Sequence, residues 1–250
     1  MKERSPRLSR IHVDARLAKG MRIALPDSAA AHLLRVLRLG IGDACVLFNG
    51  DGHDYAATIV SVARKIAEAE VSDACPVDNE SPLRITLAQA LARGEKMDWI
   101  IQKATELGVA AIQPIVSERT EVKLDGERAD KRRAHWQAVA IAACEQCGRA
   151  RLPLIAEPLA LHHYASSLDR ESLKLMLDPD AQTTLRALSL ADAPGIELAI
   201  GPEGGFSQRD LAQLNAAGFL GLRLGPRVLR TETAGLAALA ILQALVGDVG

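Results

Sequence analysis

The chain is poor in aromatic residues. Only 3% of its 250 positions are Phe, Trp or Tyr, so any recognition built on stacked rings must be sparse. Cysteine is scarce as well: Cys45, Cys75, Cys144 and Cys147 are scattered, which does not make a disulfide framework. Cys144 and Cys147 form a C-x-x-C, but no second pair stands at zinc-site spacing, and on a helix the two simply share a face. His162-His163 also lacks further ligands at metal spacing. No metal is therefore expected. Net charge is nearly absent, at −1. There is no G-x-x-x-x-G-K-[ST] phosphate loop, no G-x-G-x-x-G after the first strand, no G-x-S-x-G elbow and no H-E-x-x-H. The longest apolar stretch, Ala234–Val246, is interrupted by Gly235 and Gln243 and falls short of the ~18 residues of a membrane span. The N-terminus is charged and has no apolar signal core. These absences together describe a reduced, soluble, cytoplasmic protein with no membrane partner.

What is present is a globular composition, 48% hydrophobic and 24% charged, sufficient for a core and contrary to global disorder. The charge is uneven. Lys2, Arg4, Arg7, Arg10, Arg16, Lys19, Arg22, Arg35 and Arg38 face only Glu3, Asp14 and Asp27 in the first 42 residues. Such an excess suits either a phosphate-facing surface or a merely solvated one.

Residues 74–82 read as a linker, polar and bracketed by Pro76 and Pro82. Before it, residues 1–73 carry short β-friendly runs: Ser9–Val13, Ala44–Phe48, Tyr55–Val62 and Ile66–Val71. Asn49-Gly50-Asp51-Gly52 is a turn signal, and Ser28–Leu37 is a helix candidate. A small β-barrel with one helix is the natural expectation. After the linker, residues 83–250 alternate strands (Arg84–Leu91, Val109–Val116, Leu173–Leu177, Ile196–Ile200, Gly221–Leu224) with helices (Lys96–Leu107, Ala129–Cys147, Ser207–Ala217, Thr231–Val246). That alternation predicts an α/β domain with a mainly parallel sheet. The last helix is apolar nearly all round and should be buried in the core or at a dimer interface.

Two segments concentrate unusual residues. Ile196–Ile200 runs into Gly201-Pro202-Glu203-Gly204-Gly205-Phe206 and then Ser207-Gln208-Arg209-Asp210. Strand, glycine turn, helix is where α/β proteins bind ligands, and Ser207 with Asp210 begins the helix like a capping box. Further on, Leu224-Gly225-Pro226-Arg227-Val228-Leu229-Arg230-Thr231-Glu232 crowds charge beside the last helix. A tight turn and an ion-pair cluster account for these segments as well as a site does. Their pairing favours a site.

The stretches 201–207 and 224–234 resemble the loops of the knotted SPOUT methyltransferases, and more closely those of the bacterial RsmE family. His32–Arg38 with Gly42-Asp43, Lys96–Val109, Ser117-Glu118-Arg119 and Glu145–Arg149 are similar to further family segments, in the family's order. The resemblance implies a PUA-like RNA-binding β-barrel, then a SPOUT domain whose late loops form a deep trefoil knot, an exception to the rule against knots. It implies a homodimer that uses S-adenosylmethionine to methylate N3 of a uridine in 16S ribosomal RNA of the small subunit. A SPOUT enzyme acting on transfer RNA or a ribose 2′-hydroxyl, and a non-catalytic ribosome-assembly factor, are the alternatives.

By the same resemblance, Leu177, Ile200, Gly201, Pro202, Glu203, Gly204, Gly205, Leu224, Gly225, Leu229, Thr231 and Ala234 are the expected cofactor residues. Arg230 would stabilise the anionic uracil, Glu232 would take the proton or orient Arg230, and Arg119 would face the base or phosphate. For RNA docking the expected residues are Arg7, Arg10, Arg35 and Arg38, with Arg149 and Arg151.

Overall fold

A computed structural model describes residues 8–26, 30, 39–63, 66–122, 126–168, 171–188, 190 and 194–250. The chain divides into two compact units. One comprises residues 1–79 with 144–152; the other comprises residues 80–143 with 153–250.

In the first unit, strands β1 (Arg10–His12), β2 (Arg22–Ala24), β3 (Ala44–Phe48), β4 (His53–Ala63) and β5 (Ile66–Pro76) form one mixed sheet in the order β1-β3-β4-β5-β2. β1 pairs with β3 in parallel and the other pairs are antiparallel. Alternating apolar residues build its core: Cys45 and Leu47 on β3, Tyr55, Ala57 and Ile59 on β4, Ala67, Ala69 and Val71 on β5. Burial pushes the Cys45 thiol up to about 11, so it stays protonated and inert. Strand β5 runs through Ala74, Cys75 and Pro76, where the sequence suggests a linker, because His53–Tyr55 of β4 extend the ladder opposite them. The helix candidate Ser28–Leu37 falls almost wholly outside the described residues.

In the second unit, strands β6 (Ile85–Ala90), β7 (Ala111–Val116), β8 (Leu154–Ile155), β9 (Leu159–Ala160), β10 (Leu173–Leu177), β11 (Ile196–Ile200) and β12 (Leu220–Leu222) form a sheet in the order β12-β10-β11-β6-β7-β8, with β9 also on β7. Every pairing in it is parallel. With it go helices α1 (Lys96–Glu106), α2 (Gly126–Cys147, whose last residues belong to the first unit), α3 (Leu161–Ser167), α4 (Gln208–Ala216) and α5 (Thr231–Val246), and a 3-10 turn at Leu185–Ala187.

Parallel strands covered on both faces need apolar residues at odd and even positions alike, and these have them. Ile85 and Leu87, Ile196 and Leu198, and Leu175 join α1, Trp136 of α2 and Leu236, Leu239 and Leu242 of α5 in one core. Ala88, Ala90, Ala199 and Met176 face the other way, toward Leu161 and Tyr164 of α3 and Leu214 of α4. α5 is only partly buried: Ile241 and Leu245 are 41% and 53% exposed.

The register sets up the site. Because all strands run the same way, Leu177 pairs with Leu222, Met176 with Ala199 and Ile200 with Gln89. The C-terminal ends of β6, β10, β11 and β12 are thus level, and the loops after β10, β11 and β12 open at one edge. From β12 at the sheet's margin the chain returns, as α5, to pack on β6, β11 and α1.

Candidate functional site

A cleft of about 500 Å³ lies at that edge. Its apolar lining comes from Leu177, Ile200, Leu222, Leu224 and Leu229, and its basic lining from Lys96, Arg119, Arg223, Arg227 and Arg230. Such a volume falls within the roughly 300–1,000 Å³ of small-molecule sites, as does the mix of apolar wall and few charges.

The first wall is the loop after β11. A Cβ on Gly201 would stand 3.0 Å from the Phe206 amide nitrogen and 3.2 Å from the Gly205 carbonyl carbon, so any larger residue would press on the backbone that folds back here. Gly205 closes the turn with its amide on the Pro202 carbonyl (2.9 Å), at φ +67°, a conformation costly to any other residue. Ser207 then caps α4: its hydroxyl accepts from the Asp210 amide and the Asp210 carboxylate accepts from the Ser207 amide. The segment after β7 braces this loop. The Ser207 hydroxyl donates to Glu118 (2.5 Å), the Glu118 amide donates to Asp210, and Arg119 donates to the Gly204 carbonyl (2.8 Å).

The second wall is the loop after β12 and the start of α5. A buried relay ties the two walls together. Gln89 donates to the Thr231 hydroxyl (2.9 Å), which donates to the Gly201 carbonyl (2.6 Å). Thr231 is 6% exposed and Gln89 fully buried, where hydrogen bonds are least replaceable by water.

Charges meet at one end of the cleft. Lys96, the first residue of α1, donates to Glu203 (2.9 Å) and lies 3.6 Å from Glu232. Burial acts to raise the Glu203 carboxyl, but Lys96 and the backbone amides of Glu203 and Arg93 outweigh it and hold it below its ordinary value. A depressed carboxyl adds stability above its unfolded value, lost as pH falls through the lower folded one. The pair therefore persists into mildly acidic solution.

All the expected cofactor residues except Gly204 line the cleft, and so do Arg119 and Arg230. Glu232 does not; its carboxylate lies 3.6 Å from the Lys96 ammonium. Among the described residues the Arg230 guanidinium has no hydrogen-bond or ion-pair partner, and the ion pair that Glu232 makes is with Lys96. Lys96, Asp178, Asp180 and Arg223 also line the cleft, and sequence reasoning missed them. Asp178-Pro179-Asp180 directly follows a readable strand, so the strand-end rule itself would have found them.

The RNA-docking set divides. Arg7, Arg35 and Arg38 lie outside the described residues. Arg151 is exposed. Arg10 and Arg149, expected on the outer surface, are instead buried: the Arg10 side chain is 6% exposed and Arg149 is 5% exposed. Arg10 has internal partners, Asp54 (2.6 Å), the Arg149 carbonyl (3.1 Å) and the Phe48 ring (4.7 Å to its centroid).

Comparison with known proteins places this geometry in a class. Residues 79–243 match the RNA methyltransferase domain family, and residues 25–72 match the RNA methyltransferase PUA domain. A Legionella pneumophila protein, described as a methyltransferase with its cofactor SAM bound, is 42% identical. That likeness covers 97% of this chain and 99% of the other, with a TM-score of 0.92. The ribosomal RNA small subunit methyltransferase E of Neisseria gonorrhoeae, bound to S-adenosyl methionine, is 38% identical over 98% of this chain and all of its own, with a TM-score of 0.90. The protein of the same name from Buchnera aphidicola is 31% identical over 245 residues, 98% of this chain and 96% of that one. The chain belongs to the ribosomal RNA small subunit methyltransferase E family.

Proposed function

We propose that the chain transfers a methyl group from S-adenosylmethionine to N3 of a uridine in 16S ribosomal RNA of the small subunit, in the cytoplasm. The observation that carries this reading is the cleft itself, formed by two glycine-containing loops at level strand ends in a family whose relatives bind this cofactor. Its apolar wall (Leu177, Leu224, Leu229) suits the adenine ring, and the folded-back Gly201–Gly205 backbone admits a ligand close to the main chain. The bound sulfonium supplies an activated methyl group.

The protein's part is to position and to balance charge. Uracil N3 carries a proton, and its loss leaves negative charge on the flanking oxygens. Arg230 lines the cleft, and among the described residues its guanidinium has no partner, which leaves its positive charge available to favour that charge. Arg119, pinned to Gly204, holds a second cation at the rim. The test is purified protein with labelled S-adenosylmethionine and small subunits from cells lacking the modification. N3-methyluridine by mass spectrometry supports the reading. A different methylated nucleoside, or binding without transfer, overturns it.

Two features of the wider assembly go with this reading. The late loops are proposed to form a trefoil knot, a reading supported by the family likeness and by the chain's return from β12, at the sheet's margin, to pack as α5 on β6 and β11. The exposed Ile241 and Leu245 flank of α5 fits burial against a second copy in a homodimer.

Gly201→Val tests the cofactor wall. Its added carbons would press on the backbone of Gly205 and Phe206, at about 1–3 kcal/mol for such overpacking. S-adenosylmethionine binding, by calorimetry, is expected to weaken about tenfold or more. For RNA, Arg35→Gln with Arg38→Gln is expected to lower the slope of log K against log salt by about 0.7–0.9 for each phosphate no longer neutralised. An unchanged slope would remove both from the docking surface.

A further inference from the structure

We propose that Lys96 is a positioning residue for methyl transfer, its single ammonium holding Glu203 of the first cleft loop and Glu232 of the α5 first turn in one charge cluster. The inference rests on the reading of the cleft as the S-adenosylmethionine site. Glu203 and Glu232 belong to the two segments that wall the cleft, and both side chains are largely covered, at 34% and 16% exposed. Two carboxylates so placed repel each other and suffer desolvation unless a cation stands between them. Lys96 is that cation. It donates to Glu203 at 2.9 Å and lies 3.6 Å from Glu232 Oε2, a buried oxygen with no hydrogen-bond partner among the described residues.

The neighbouring cations have other engagements. The Arg93 guanidinium pairs with Glu121, and Arg93 offers Glu203 only its backbone amide. Arg119 donates to the Gly204 carbonyl. Arg230 precedes Glu232 but makes no ion pair with it. Lys96 thus does by charge, at one end of the cleft, what the Gln89–Thr231–Gly201 relay does by hydrogen bonds: it fixes the cofactor loop against the helix that begins beside Arg230. Losing it frees two like charges, one in each wall, and both walls should relax together.

The test is a charge-rescue series on the full-length protein, with S-adenosylmethionine affinity measured by calorimetry and turnover on small subunits. Wild-type affinity comes first; its absence sinks the cofactor reading itself and not merely the role of Lys96. With wild-type binding in hand, Lys96→Met is expected to weaken S-adenosylmethionine about tenfold or more and to lower kcat as well. Lys96→Arg, which keeps the cation, should recover to within about threefold. Lys96→Met combined with Glu203→Gln should bind more tightly than Lys96→Met alone, because one of the two opposed charges is gone. A helix-start lysine of purely structural value shows no such rescue. Wild-type affinity and kcat in Lys96→Met, or equal impairment of the single and double variants, would overturn the proposal. Should Lys96→Met not fold, the comparison moves to Glu203→Gln and Lys96→Arg. Full affinity in Glu203→Gln would then overturn it, and weakened binding with near-normal Lys96→Arg would support it.

Discussion

Replacing Arg230 with alanine is expected to lower kcat by about 10²–10³-fold, the loss typical of removing one group aimed at developing negative charge, while S-adenosylmethionine affinity stays within a few-fold of wild type. The separation follows from how the residue is built in. Its backbone serves the fold: Arg230 is the N-cap of α5, and its carbonyl accepts from the amides of Thr233 and Ala234 at 2.9 and 2.8 Å. Alanine keeps that carbonyl. Its side chain serves something else. Arg230 lines the cleft and its exposed side chain has no internal partner among the described residues, so truncation leaves no buried group unpaired. It also sits at a helix N-terminus, where the dipole adds positive potential. A cation there gains most when the base loses its N3 proton, so its removal should act on turnover more than on cofactor affinity. Arg230→Lys retains the charge without the planar fork and should fall between the two. Turnover of Arg230→Ala within a few-fold of wild type would remove the residue from the chemistry. A parallel collapse of cofactor affinity would show that it shapes the wall instead.

How much of this is readable from sequence depends on the range of the interaction. Ala44–Phe48, Leu173–Leu177, Ile196–Ile200 and Thr231–Val246 match the observed elements end to end, because an apolar run bounded by turn or cap residues is a local signal. β2, β8 and β9 carry no such signal. They are two or three residues long and exist because a neighbouring strand offers a ladder. The expected cofactor residues, Leu177 apart, are recognisable because they sit in two short, unusual segments. Lys96 is readable only as the start of a helix, since nothing near it in sequence says that its ammonium meets Glu203 and Glu232, far along the chain. Glu232 stands beside Arg230 by adjacency, yet residues so close in sequence on a helix do not face each other, and its ion partner is on α1.

Arg10 is the sharpest case, and it carries the second large expectation. Arginine is nearly always exposed unless paired, so a basic N-terminal segment reads as a surface. Here the partner is 44 residues away: Asp54, bonded at 2.6 Å, with the same nitrogen also donating to the Arg149 carbonyl and the guanidinium lying over Phe48. Burial already raises the Asp54 carboxyl above its usual value against the pull of Arg10. Arg10→Ala would therefore leave a largely covered acid without its cation, the situation in which breaking an ion pair costs about 3–5 kcal/mol. The expected result is a fall of that order in the unfolding free energy of the first unit, followed by urea denaturation with hydrogen exchange at β1 and β3, which Arg10 and Phe48 join. Arg10→Ala with Asp54→Leu should regain part of the loss, since no lone charge remains. RNA binding by the folded fraction should keep its salt slope. A normally stable Arg10→Ala with a slope reduced by about 0.7–0.9 would return Arg10 to the RNA surface and mean that its internal bonds yield when phosphate is present.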